Sequence, residues 1–277
     1  MTPTRPFAIR MLSCLVFMAA LAPAMAKPHS FDEDFIVVFI DAQSEAKFGA
    51  IPLDRNVLAN GINAIADAGA RGLVLKFFLD KPKDGPGDER LAKALARIPG
   101  ALQARLDNQQ GTSNPLDERF SLNGSFNVAA AGSRGWIPLP LFAKHATDIG
   151  FVDFNSTLVP MVEQYQSRTV KSLILCAIEM AAKKRAILHA GHWIRVGEHL
   201  IKVDSLNQTT VRLIQPPLAR SVSFNSVLDG STRVELKNKV VILAYDGPHM
   251  ETLMTSVGPM GSHRYFVNIL RTIYDGK

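Results

Sequence analysis

Apolar positions fall into two patterns along the chain, short unbroken runs and runs repeating every three or four residues. Phe35 to Ile40 (FIVVFI), Gly72 to Leu79 (GLVLKFFL) and Lys239 to Tyr245 (KVVILAY) are β-branched and aromatic with almost no polar alternation. Such runs predict strands covered on both faces, as in a parallel sheet. Between the first two, Asp54 is suited to cap a helix carrying Val57, Leu58, Ile62, Ile65 and Ala66 on one side, and Gly69 is placed to stop it. Strand, helix and strand then form a unit of the right length for a right-handed parallel crossover.

Further along, Lys81 to Gly87 (KPKDGPG) reads as a loop, and Asp88 as the start of a helix bearing Leu91, Leu95 and Ile98. A strand is expected near Ala101 to Leu106, and a long polar surface loop over Asp107 to Asn123. Phe126 to Ala131, Ile149 to Phe154 and Val159 to Tyr165 are read as strands, the last two as neighbours. Val170 to Ala182 has helical spacing and predicts a buried helix. Trp193 to Val196 and Leu200 to Val203, parted by Gly197, predict a hairpin. Val211 to Ile214 is a further candidate strand, Phe224 to Leu228 a helical turn, and Arg264 to Tyr274 a closing helix with Phe266, Ile269, Leu270 and Ile273 on one face. The expectation is a single α/β domain of three layers, a mostly parallel central sheet with flanking helices and an additional hairpin region.

The N-terminus is expected not to belong to that body. Arg5 and Arg10 precede an apolar stretch from Met11 to Ala22, and Ala24 to Ala26 form an A-x-A site. This is the pattern of a secretory signal, cleaved after Ala26, and the apolar stretch is shorter than the roughly 20 residues of a membrane-spanning helix. Residues 27–277 would then be a water-soluble chain, periplasmic or secreted, with no transmembrane segment. Cys14 lies within the apolar stretch and lacks the leucine three residues upstream that a lipidation site carries.

Charge and cysteine content narrow the function classes. The formal charge of +6 includes Arg5 and Arg10, and the remaining cations are scattered apart from Lys183, Lys184 and Arg185 at a helix end. No basic stripe with interleaved aromatics exists, so nucleic acid is not an expected partner. Cys176 is the one cysteine left after cleavage, which excludes an intramolecular disulfide and points to a small core residue.

Candidate chemistry is sparse. In open parallel sheets ligands gather at the carboxyl ends of strands, which singles out Asp41, Gln43, Ser44, Asp80, Asp246 and His249. The same carboxylates serve equally as loop caps. His189, His192 and His199 are close in sequence, but the intervening glycine and hairpin spread them, so no metal site is expected. Nucleophile-elbow and phosphate-cradle motifs are missing, so no catalytic residue and no cofactor is nominated.

The elements and their linking residues resemble the type-two CHASE domain, the extracellular sensor of bacterial cyclases, histidine kinases and serine/threonine kinases. The resemblance is carried by FIVVFIDAQSEAKFGAIPLDR (Phe35 to Arg55), IADAGARGLVLKFFLDKP (Ile65 to Pro82) and GDERLAKALARI (Gly87 to Ile98). It continues in VELKNKVVILAY (Val234 to Tyr245) and TSVGPMGSHRYFVNILRTI (Thr255 to Ile273). Departures fall at Ile51 to Leu53, at Asn155 and Ser156, and at Ala244 to Pro248, where the family's tryptophan-proline, Asp-Gly and Val-Gly-Ala-Thr-Ala segments would stand. The resemblance implies a sensory module and marks Asp41, Ser44, Asp80, Asp246 and Asn268 as ligand-binding positions. With no receptor output region expected after Lys277, such a module would act by binding a small molecule or an envelope or receptor protein. An exported enzyme using strand-end carboxylates, with or without a metal, and a structural protein of the envelope are the alternatives.

Overall fold

The computed structural model describes residues 29–107, 113–154, 157–215 and 219–277. The expected secretory segment, Met1 to Ala26, and the departure at Asn155 and Ser156 lie outside the described residues.

Six strands form the body of the central sheet: β1 (Phe35–Asp41), β2 (Gly72–Leu75), β3 (Gly100–Leu106), β4 (Asp148–Phe151), β5 (Ser221–Ser223) and β6 (Val240–Asp246). They lie in the order β5-β1-β6-β2-β3-β4, and each neighbouring pair is parallel. A seventh, Gly135–Trp136, pairs antiparallel with the end of β3, so the sheet is mixed and not wholly parallel.

Strand side chains alternate between faces, and each face has its own core. Ile36, Val38, Ile40, Leu73, Leu75, Val241 and Leu243 pack under helices α1 (Arg55–Asp67), α2 (Gly85–Leu95) and α4 (Phe224–Leu228). Phe35, Val37, Phe39, Val74, Val240 and Ile242 face α3 (Leu173–Ala182) and α5 (Ser262–Tyr274). The unbroken apolar runs are thus read by two helical layers at once. Asp54 caps α1 by accepting from the backbone N–H groups of Asn56 and Val57, and Gly69 has a φ of 76° just past its end.

Several boundaries differ from the pattern. β2 stops at Leu75, because Lys76 to Leu79 leave the sheet. The second helix starts at Gly85 with Asp84 as its cap; Asp88 is in its first turn, buried, with Arg55 Nε 2.8 Å away. Phe126 to Ala131 keeps an alternating burial pattern, yet ladder pairing begins only at Ala131–Gly132, against Gln164 and Tyr165. The Val159 to Tyr165 segment is two strands, Leu158–Pro160 and Val162–Tyr165, paired with Gln208–Thr210 and Arg168–Lys171 and not with β4. Val170 and Lys171 therefore belong to a strand, and Ser172 opens α3 by accepting from Leu175 N–H at 3.2 Å. Lys171 fits that buried strand because Asp148 and Glu179 both accept from its ammonium. The expected strand at Val211 to Ile214 is absent among the described residues; the Asn268 side chain, not a neighbouring strand, binds the Ile214 backbone. Nor is the polar segment after Asp107 all surface loop, since Leu116 and Phe120 enter the first core. The expected hairpin is present at Trp193–Val196 and His199–Lys202, with Ile187–His189 as a third strand.

Among the described residues no helix is long and apolar enough to cross a membrane.

Candidate functional site

β2 has four residues, whereas its neighbours β6 and β3 have seven each. Its register ends at Leu75, opposite Leu243 and Leu102, so the last residues of β6 and β3 run on with no strand between them. The gap opens at the carboxyl edge, where ligands bind in open α/β sheets. Lys76 to Phe78 descend into it, with the Lys76 N–H still held by Leu243 O at 2.9 Å.

Two connected hollows result, sharing Lys76, Phe78, Gln103 and His263 as a common wall. The first, of about 430 Å³, is walled mainly by Ile51, Leu53, Leu58, Phe77, Phe78 and Met250. The second, of about 550 Å³, is more polar and is bordered by Arg105, Asp153, Glu251 and Ser262. A space of a few hundred Å³ with apolar walls and few convergent polar groups is the ordinary form of a small-molecule site.

Lys76 stands where the hollows meet. It is 8% exposed, its ammonium donates to Gln103 Oε1 at 2.5 Å, and it lies 5.3 Å from the centre of the Phe266 ring. No carboxylate lies within ion-pair distance of it among the described residues. Burial, reinforced by the Arg105 charge, pushes its pKa down to about 7. An ammonium can donate three hydrogen bonds, and among the described residues this one has a single acceptor.

His263, the second residue of α5, accepts from the Tyr245 backbone N–H through Nδ1 at 2.9 Å. Nδ1 must then be unprotonated, which places the ring hydrogen on Nε2. Burial, with the Lys76 charge beside it, holds the imidazole well below its ordinary pKa. Arg55 is committed to Asp88 and to Lys81 O, while the Tyr245 hydroxyl donates to Glu45 at 2.7 Å. The shared wall therefore presents hydrogen-bond donors.

Asp41, Ser44, Asp80 and Asp246 lie near this edge, Asn268 lies midway along α5, and none of the five lines the cleft. Asp41 caps the Ala42–Phe48 helix, accepting from the N–H and hydroxyl of Ser44 at 2.9 and 2.8 Å. Ser44 is fully buried between Asp41 and Ser223. Asp246 sits opposite Asp41 in register and accepts from Arg264 Nε at 2.8 Å. Asp80 is half-buried, its backbone oxygen accepting from Asn114. Asn268 is fully buried, accepting from Ile214 N–H at 3.1 Å and donating to Ile214 O at 2.9 Å.

Sequence reasoning passed over Lys76, Gln103 and His263. The clue was a lysine inside the otherwise apolar GLVLKFFL run; nothing local marked the other two. His249, which it did single out, lines the apolar hollow. His189 and His192 are exposed with ring centres 4.9 Å apart, whereas His199 is buried with Nδ1 3.0 Å from Tyr274 O. Among the described residues no group of three or more His, Cys, Asp or Glu is placed to hold a metal.

Behind the polar hollow, the Asp153 carboxyl approaches Glu163, which is wholly buried. Burial and the Asp153 carboxylate push Glu163 well up, so it holds a proton that Asp153 can accept. Asp153 also accepts from Leu106 N–H at 2.8 Å, which ties the pair to the end of β3.

The model of one family, described as the CHASE2 domain, matches residues 13–275. No curated protein and no solved structure matches.

Proposed function

Because the chain belongs to the CHASE2 domain family, whose members are extracellular sensory domains, we propose that it is an exported sensory module that binds a small molecule in the strand-end cleft. The observation carrying this reading is Lys76, a buried cation with a single acceptor among the described residues, between an apolar and a polar hollow. Keeping such a group desolvated costs stability. A ligand that supplied the missing acceptors would recover that cost. On this reading the protein binds and turns nothing over, and acts in the periplasm or outside the cell through whichever partner senses the bound state. The positions Asp41, Ser44 and Asp246 support the cleft from behind, by fixing the loop after β1 and the start of α5.

Thermal-shift screening of the purified protein against small metabolites tests this, with Met250→Trp as a cleft-filling control. Ligands that raise the melting temperature of the parent protein and not of the variant support the reading. Ligands that stabilise both equally, or none from any chemical class, refute it. N-terminal sequencing of protein recovered from the periplasm is expected to begin at Lys27.

A protein partner is favoured by one separate observation. Ile187 and Leu200 are 63% and 54% exposed on the three-stranded sheet, on the two sides of Arg195. Trp193 on the same face stacks on His189 at 5.1 Å. Loss of a stoichiometric co-purifying envelope protein on Leu200→Lys would support that reading.

A further inference from the structure

Resting on the reading that the cleft is the ligand site, we propose that its ligand is a monocarboxylate with an apolar body. The carboxylate would lie on the Lys76 ammonium and the His263 Nε2–H, the body against Leu53, Phe77 and Phe78. The donors on the shared wall carry one positive charge at most, since His263 is neutral by its hydrogen bond from Tyr245. Arg55 is neutralised by Asp88, and Arg105 lies 3.9 Å from Asp153 and 5.3 Å from the Trp136 ring. A single negative charge is matched there.

A dianion such as a phosphate monoester is not. Asp153 and Glu251 border the polar hollow and would oppose a second negative charge. A cationic ligand would meet Lys76 itself, buried and, among the described residues, with no carboxylate at ion-pair distance. The apolar hollow, with Leu58 and Met250 completing its wall, excludes a small fully hydrated anion as the preferred occupant.

The pairing has a protonic signature. Titratable and polar groups lining the hollows around Lys76 are Gln103 and Arg105 from β3, Tyr245 from β6, His263 and Tyr265 from α5, Asp153 after β4 and Glu251 before α5, with Arg55 and His249 across the apolar hollow. In the free protein Lys76 is largely neutral above pH 7. A carboxylate placed against it favours the ammonium, so binding at pH 8.5 draws a proton from solvent, and binding at pH 6 does not. Affinity therefore weakens as pH rises above about 7, approaching tenfold per unit.

Calorimetry of the full chain with hexanoate, benzoate and phenylacetate, their neutral amides and the matching amines tests the proposal. Each titration is run at pH 6 and 8.5 in buffers of different ionisation heat. Expected are carboxylates bound at least tenfold more tightly than amides, uptake approaching one proton at pH 8.5, and loss of both features in Lys76→Met. Amides or amines bound as tightly as carboxylates, or carboxylates bound without proton uptake, would overturn the ligand class. The cleft reading would survive that result if Met250→Trp still abolished binding. Failure of the whole panel would also overturn the class. The wider metabolite screen with Met250→Trp then decides separately whether the cleft binds anything.

Discussion

The backbone N–H of Tyr245 donates to Nδ1 of His263 at 2.9 Å, joining the end of β6 to the first turn of α5. The bond fixes the imidazole as its neutral Nε2–H form, and its loss would open the wall shared by the two hollows. It also makes the histidine a source of acid sensitivity. Below the ordinary histidine value of 6.5 the unfolded chain takes up a proton that the folded chain refuses. Stability should fall as pH drops through that range, by up to about 1.4 kcal/mol per unit. In His263→Asn, whose amide oxygen can replace Nδ1, denaturant unfolding from pH 7 to pH 5 should lose this part of the slope.

Lys76 acts over a higher range. Its pKa is 10.5 unfolded and about 7 folded, so between those values the unfolded state binds more protons and stability rises with pH. Lys76→Met should stabilise the free protein at pH 7 by roughly 2–4 kcal/mol. The gain should shrink as pH rises and vanish only above about 10.5, where the lysine becomes neutral in the unfolded state as well. An equal melting temperature for variant and parent at pH 7 would contradict the cost assigned to this buried amine.

Glu163 shows the opposite dependence. The folded state keeps its proton above the ordinary value of 4.5, where the unfolded chain releases it, so stability declines as pH rises from there. Glu163→Gln leaves a donor toward Asp153 and removes the titrating group. The variant is expected to match the parent near pH 4 and to exceed it by roughly 1–3 kcal/mol at pH 7, as read from urea unfolding at each pH.

Asn268 replaces a strand partner for Ile214, accepting at 3.1 Å and donating at 2.9 Å. Asn268→Ala leaves two part-buried backbone groups of Ile214 without their partner and should cost about 1–3 kcal/mol. Asn268→Asp keeps the acceptor but loses the donor to Ile214 O, and its added charge is buried. It should be no better tolerated, and backbone amide exchange at Ile214 should accelerate in both.

The three apolar runs were enough to locate β1, β2 and β6, because strands buried on both faces carry no polar alternation that could be confused with a helix. Asp54 and Gly69 likewise marked the limits of α1 through purely local hydrogen bonds and backbone preference. Lys171 shows where that reading stops. A buried lysine inside a strand is stable only with Asp148 and Glu179 beside it, and those residues come from other elements.

The family was legible in the sequence because linking residues at turns and helix starts keep their spacing in the chain. The cleft was not. Its existence depends on β2 ending three residues short of β6, which is a property of register between strands distant in sequence. What the sequence by itself determined was the set of buried segments and their caps, through local periodicity and backbone chemistry. Only the tertiary structure decided that Lys76, Gln103 and His263 share one wall, since their burial and protonation follow from neighbours contributed by three separate elements.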